Sequence, residues 1–174
     1  DVTDFSAVEE TSEVLKAEKI DILLNNAGIY DRLKKGLGET DFDVWAKMLH
    51  VNTLAPLKII ESFMPQVTSS NKKVIVSISS LLGSIGSNDS GGQYAYRSSK
   101  AALNSVNKSL SIDLVGKGIV SIVISPGWVR TDMGGPEATV GPVESVAGIR
   151  TVIKGLKLED NGKFFNFNGS HINW

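Results

Sequence analysis

The sequence predicts an α/β fold: a parallel sheet with helices on both of its faces. Three observations carry that reading. Apolar runs of strand length, Ile20–Leu24, Val74–Ile78, Ile119–Ile124 and Phe164–Phe167, alternate with longer stretches of helical period. The runs are near-continuous, as strands buried on both faces are, rather than alternating apolar with polar. Each is separated from the next by enough residues for a crossover helix.

The elements follow in order. Ser6-x-x-Glu9 reads as a capping box opening a helix through about Lys16, with Phe5, Val8, Val14 and Leu15 available for its buried face. Ile20–Leu24 reads as a buried strand closed by the turn Asn25-Asn26-Ala27-Gly28. Thr40 or Asp41 can cap the next helix, whose apolar face uses Val44, Trp45, Met48, Val51 and Leu54. Pro56 does not fit its interior and marks a kink or junction, after which the helical pattern resumes through Met64. Val74–Ile78 is a strand of mostly β-branched residues, followed at 83–92 by a polar loop long enough to suggest function. Residues 94–115 form the longest helical stretch, and Ile119–Ile124 is a strand stopped by Pro126-Gly127. Residues 142–156 read as a helix with Pro142 in its first turn, before the last strand at Phe164–Phe167. No internal repeat or linker interrupts the pattern, so residues 1–174 read as one domain.

Composition narrows the function classes. The 174 residues carry 18 Lys+Arg against 19 Asp+Glu, a net charge of -1, which gives no electrostatic reason to expect nucleic acid or an anionic membrane as partner. The hydrophobic share is 41% and the charged share 21%, the balance of a globular domain. No apolar run approaches the ~18–20 residues that span a bilayer. Cysteine is absent, which removes disulfides, thiolate metal sites and a Cys nucleophile, and no signal peptide opens the chain. A cytoplasmic location is expected, and no metal site.

Ligands of open parallel sheets bind beyond the carboxyl ends of the strands. The first strand is followed by Asn25-Asn26-Ala27-Gly28, the second by Ser79 and Ser80, and the third by Pro126, Gly127 and Thr131. Tyr-x-x-x-Lys is the sharper signal. At i and i+4 a phenol and an ammonium share a helix face, and the cation favours the phenolate, lowering a pKa that starts near ~10. The spacing occurs twice, as Tyr30…Lys34 and Tyr96…Lys100. Tyr30 lies in a charged segment with no strand-end hydroxyl shortly before it, and reads as part of a surface ion-pair segment. Tyr96 opens the long helix after the strand that delivers Ser79 and Ser80. Tyr94 lacks the cation four residues on. His50 and His171 stand in no ligand array and read as structural. Neither a Gly-x-Ser-x-Gly elbow nor a Gly-x-Gly-x-x-Gly fingerprint occurs in these residues.

Asn25-Asn26-Ala27-Gly28, Asn52 of Leu-His-Val-Asn, Ser80 of Ile-Ser-Ser, Tyr96-x-x-x-Lys100 and Pro126-Gly127-Trp-Val-Arg-Thr131 occur in one order. That set resembles the short-chain dehydrogenases/reductases, and the surrounding sequence is similar to the sniffer and C-factor-like carbonyl reductases along the whole chain. The resemblance implies a Rossmann-like doubly wound parallel sheet and an NAD(P)H-dependent reductase of small-molecule aldehydes or ketones, with NADP favoured over NAD. It implies Tyr96 as acid/base, Lys100 as the residue that lowers the phenol's pKa and holds the nicotinamide ribose, Ser80 as the carbonyl-positioning hydroxyl, and Asn52 as holder of a water beside Lys100. Ser79 and Ser84 remain alternatives to Ser80. Asp1 and Val2 would contact the adenine, Asn26 would lie by the adenosine ribose, Val129 and Thr131 would meet the nicotinamide amide, and Ala27, Gly28, Pro126 and Gly127 would also line the cofactor. Relatives that dimerise through the long helix make a homodimer an open possibility. The family begins with a further βαβαβ portion carrying a glycine-rich turn. The chain therefore reads as the later two-thirds of a domain of roughly 230–250 residues, with an exposed apolar edge at strand 20–24. A silent cofactor-sensing or signalling protein on the same fold, or an inert truncated piece, are the alternative readings.

Overall fold

The computed structural model describes residues 1–31 and 36–174. Four parallel strands, β1 (Ile22–Asn25), β2 (Val74–Ile78), β3 (Val120–Ser125) and β4 (Phe164–Asn166), pair in the order β1-β2-β3-β4. The register sets Asn25 beside Ser77, Ile78 beside Ile124 and Ser125 beside Asn166, so the strands' carboxyl ends align along one edge of the sheet.

Helices α1 (Phe5–Val14), α2 (Phe42–Leu49), α3 (Ala55–Thr68), α4 (Tyr94–Asp113) and α5 (Pro142–Gly155) complete the core. Alternate strand residues feed two layers. Ile75 and Ile119 pack with Ile60, Val67 and Leu114 on the α3–α4 side. Val74, Val76, Ile122, Ile124 and Phe165 pack with Ile153 of α5 on the other. Ile75, Ile122 and Ile124 are fully buried, each contributing about 1.5–3 kcal/mol of transfer free energy. The doubly wound α/β arrangement expected from the sequence is the one observed.

Several local expectations are corrected. The cap of α1 is Asp4, whose side chain accepts from Ala7 N, and not Ser6. Of the apolar residues proposed for that helix's buried face only Val8 is buried; Val14 is 82% exposed. The first strand runs Ile22–Asn25 rather than from Ile20, and at the edge of the sheet among the described residues it leaves Ile22 and Leu24 exposed, the apolar edge expected there. Asp41 caps α2 by accepting from Asp43 N and Val44 N. Between α2 and α3 Pro56 does mark a junction: the chain widens into a π-turn at His50–Leu54, and Pro56 falls in the first turn of α3, where its missing N–H costs nothing. That helix runs past Met64 to Thr68 with Pro65 inside it. His50 stacks on Phe5, and His171 meets Phe165 edge-on.

Candidate functional site

The site lies at the carboxyl edge of the sheet, where β1, β2 and β3 release their loops and α4 begins. Ser80 follows β2 in extended conformation and caps a short 3₁₀ turn, Leu81–Gly83, by accepting from Leu82 N at 3.2 Å. With that lone pair engaged, its O–H is left to donate. It lies against the Tyr96 phenol, and this contact favours the phenolate. Of the three candidate serines, Ser79 is buried and donates to Asn104 Oδ1 at 2.6 Å, and Ser84 donates to Asn173 O at 2.6 Å. Ser80 is the one joined to Tyr96.

The turn carrying Ser80 is held against α4 by close packing. A Cβ on Gly83 would fall 2.8 Å from Lys100 Cβ and 2.9 Å from its carbonyl carbon, so glycine alone fits there. Asn104 ties both ends of the turn, accepting from Ser79 and donating to Gly83 O at 3.1 Å.

Lys100 lies one helical turn beyond Tyr96, 4% exposed, with Nζ donating to Ile78 O at 2.8 Å and standing 6.0 Å from the Tyr96 ring centre. Burial lowers its pKa to about 8. The Tyr96 phenol moves the opposite way from the sequence-based expectation. Its pKa is raised, chiefly by burial; the Ser80 hydrogen bond opposes the rise, and Tyr30 adds to it. Desolvation outweighs the Ser80 contact, and the Lys100 ammonium donates to the Ile78 carbonyl.

Asn52 projects from the π-turn and is fully buried. Its Oδ1 accepts from Ile29 N at 2.8 Å, while Nδ2 donates to Ile29 O at 2.9 Å and to Ser99 Oγ at 3.0 Å. It thus pins the loop after β1 to α4. A Cβ on Gly28 would sit 3.3 Å from Asn52 Oδ1 and 3.5 Å from Lys100 Nζ, so the glycine keeps a space open beside the ammonium. Asn26 and Ala27 are exposed on the same turn. On the far side, Pro126 O accepts from Ser145 Oγ at 2.6 Å, and Gly127 takes φ 80 against the Phe167 ring. Val129 bridges Val140, and Thr131 Oγ1 accepts from Gly134 N at 3.2 Å. Asp1 and Val2 precede α1; Asp1 Oδ1 accepts from Thr3 N and Oγ1, and among the described residues no hydrogen bond joins them to the Tyr96–Lys100 pair.

Tyr30 is not the surface segment its sequence suggested. Its ring meets Tyr96 edge-on at 4.7 Å between centres, and its hydroxyl accepts from Gln93 Nε2 at 2.7 Å. Its motif partner Lys34 lies outside the described residues. Tyr30 and Gln93 were missed because ring spacing and side-chain pairing across 63 positions leave no periodic trace. The available signal was position: Tyr30 follows a strand end on the edge where the other loops converge. Beside Tyr96 opens a cleft whose walls include Asp31, Thr40, Val44, Met48 and Tyr94.

Comparison with known proteins places this arrangement. The family model described as short chain dehydrogenase matches residues 1–139. C-signal of Myxococcus xanthus is 41% identical over 155 residues, covering 89% of this chain and 93% of that protein. The carbonyl reductase Sniffer of D. melanogaster superposes with a TM-score of 0.93 at 33% identity, over all of this chain and 76% of that one. The NADPH-bound carbonyl reductase from chicken fatty liver superposes with a TM-score of 0.90 at 31% identity, over all of this chain and 75% of that one. The chain belongs to the short-chain dehydrogenase/reductase family of oxidoreductases.

Proposed function

We propose that the protein is an NADP-dependent carbonyl reductase of small aldehydes or ketones in which Tyr96 is the general acid. The observation that carries the reading is the juxtaposition of Ser80, Tyr96 and Lys100 at the strand-end edge. The residues fit the nicotinamide end of such a cofactor. Lys100 Nζ spends one of its three donors on Ile78 O, leaving others for ribose hydroxyls, and the space kept by Gly28 lies beside it. The Pro126-Gly127 turn through Thr131 is the face offered to the carboxamide, and Asn26 that offered to the adenosine ribose. Asp1 and Val2 are assigned to the adenine end.

When bound, the nicotinamide supplies the hydride. Ser80 O–H holds the substrate carbonyl oxygen in place. The Tyr96 phenol gives its proton to that oxygen, so that no free alkoxide forms. A phenol kept protonated by burial is poised for this direction of transfer. Lys100 holds ribose and supports the phenolate that remains, and Asn52 fixes the loop wall behind it, with a water beside Lys100 as the route for reprotonation. The edge of α4 offers Ala101, Ala102 and Val106, half-buried, and Ile112, 63% exposed, as the face for a homodimer.

The test is NADPH oxidation with a panel of reactive carbonyls. Tyr96→Phe is expected to lower kcat at least ~10²-fold, the low end for losing a general acid. Full activity in that variant overturns the reading. The similarity to C-signal favours a second reading, a signalling protein on the same fold. Cofactor binding without turnover of any carbonyl in the panel selects it.

A further inference from the structure

The catalytic phenol stands on an unusual helix start. Tyr96 is the third residue of α4, in the first turn, where backbone N–H groups have no partner within the helix. Gln93 occupies the capping position yet makes no side-chain cap bond. The residues that lead in, Gly91, Gly92 and Gln93, all have positive φ, at 61°, 64° and 52°. Two are glycines, which tolerate it; Gln93 is strained there. Such a start frays unless tertiary contacts hold it. Beyond the bonds of Asn52 and Thr53 to Ser99, two contacts hold it closer to its start: Trp45 Nε1 donates to Ser98 Oγ at 2.8 Å from α2, and Gln93 Nε2 donates to Tyr30 Oη at 2.7 Å from the loop after β1. The second contact aims the Tyr30 ring, whose edge meets Tyr96 at 4.7 Å.

We propose that Tyr30 and Gln93 form a latch that positions the Tyr96 phenol: the left-handed backbone of Gln93 sends its amide to the Tyr30 hydroxyl, and the Tyr30 ring so fixed braces the Tyr96 ring opposite Ser80. The proposal rests on Tyr96 being the general acid. Tyr30 and Gln93 are positioning residues, acting through Tyr96. The latch makes physical sense of the strain. A left-handed glutamine is retained where glycine would fit because its side chain has a partner that glycine lacks.

The groups facing the Tyr96 phenol are Tyr30 from the β1 loop, Ser80 from the β2 turn and Lys100 from its own helix, while Arg97 and Asp31 act on Tyr30. Removing the Tyr30 ring admits water to Tyr96 and removes a neighbouring phenol, and both changes lower the Tyr96 pKa. The protein has three tyrosines, so tyrosinate absorbance in a Tyr94→Phe background follows Tyr96 and Tyr30 alone. The experiment compares Tyr30→Leu, Tyr30→Phe, Gln93→Gly and Tyr96→Phe. In Tyr30→Leu, kcat is expected to fall about 10- to 10²-fold, as for a displaced reacting group, with NADPH Kd within about twofold. The solvent deuterium isotope effect on kcat rises, and the remaining buried tyrosine of the cofactor-free protein ionises at lower pH. Tyr30→Phe keeps the brace but not the anchor and is expected to lose about threefold, and Gln93→Gly the same. Wild-type kcat in Tyr30→Leu beside an inactive Tyr96→Phe overturns the latch and leaves the reductase reading standing. If Tyr96→Phe is itself fully active, the reductase assignment fails, and an unmoved tyrosinate midpoint then overturns the latch by itself. Should Tyr30→Leu not fold, Gln93→Gly, whose backbone suits φ 52, decides the same question: unchanged kcat and isotope effect overturn the latch.

Discussion

Burying the Lys100 ammonium at 4% exposure with one hydrogen bond to Ile78 O works against folding, and the size of the effect depends on pH. Its pKa falls from 10.5 to about 8 because burial disfavours the charged form. Below pH 8 the lysine is charged in both folded and unfolded protein, and the full penalty is present. Between about 8 and 10.5 the folded protein gives up the proton while the unfolded chain still holds it, so stability rises with pH across that window. Above it the penalty is gone. The shift corresponds to roughly 3 kcal/mol. Lys100→Met, similar in volume and uncharged, is therefore expected to compare more favourably with wild type at pH 7 than at pH 10.5, by roughly 2–3 kcal/mol in urea unfolding of the cofactor-free protein. An equal difference at both pH values defeats the argument. Destabilising to its own fold and nonetheless buried beside a phenol, Lys100 is a candidate for the chemistry proposed above. Tyr96 and Lys100 stood out in the sequence because phenol and cation share a helix face just after a strand end that delivers Ser79 and Ser80, while the preference for Ser80 came from the family resemblance. The direction of the Tyr96 shift was not legible, since it depends on how much water the assembled loops exclude.

At the scale of elements, the strands and long helices were legible because burial on both faces writes continuous β-branched runs and long helical periods. Val74–Ile78 was read without error, and α4 to within two residues. What escaped was tertiary. The π-turn at His50–Leu54 exists where Asn52 must reach Ile29 and Ser99, partners that no local pattern announces. The anchoring of the Pro126-Gly127 turn is equally non-local: α5 and the segment after β4 hold it from behind. A Cβ on Gly148 would meet Phe167 O at 2.4 Å and Phe167 Cδ2 at 2.9 Å, while one on Gly127 would meet the same ring at 2.8 Å. Phe167 is thus gripped between a helix glycine and the turn. Because the closest atom at Gly148 is backbone, a rotamer change cannot relieve the clash. Gly148→Ala is expected to destabilise the protein by about 1–3 kcal/mol despite alanine's better helix propensity. It should also weaken NADPH binding, since displacement of Phe167 passes to Gly127. Stability equal to or above wild type by thermal unfolding would show that α5 and Phe167 move apart freely, and that the turn is not held from this side.

At the scale of the whole molecule, the two faces of the sheet are unequally covered. The α3–α4 side is closed over β1 through Leu23, whereas Ile22 and Leu24, alternating to the other side of the same strand, are 38% and 45% exposed. Beside them the outer edge of β1 has no strand partner among the described residues, so its backbone groups lie open along an apolar stretch. The mean hydropathy of the chain, +0.01, gives no warning of this, because the imbalance is one of placement. Open apolar edges pair with other chains. These 174 residues on their own are therefore expected to self-associate through β1, with light scattering that grows with concentration and is relieved by a charge at the edge. Leu24→Lys is the variant of choice: its side chain is already half in water, so the lysine can extend without burying charge, and among the described hydrogen bonds Leu24 makes no side-chain contact with Ser80, Tyr96 or Lys100. Scattering should fall severalfold at equal concentration, while the unfolding free energy changes by less than about 0.5 kcal/mol, as for other exposed positions. Unchanged scattering would place association elsewhere, with the exposed Ile112 and Val115 at the end of α4 as the next surface to charge. A large loss of stability would mean instead that Leu24 is covered in the working protein, and that the bare face of β1 is a contact surface the molecule keeps filled.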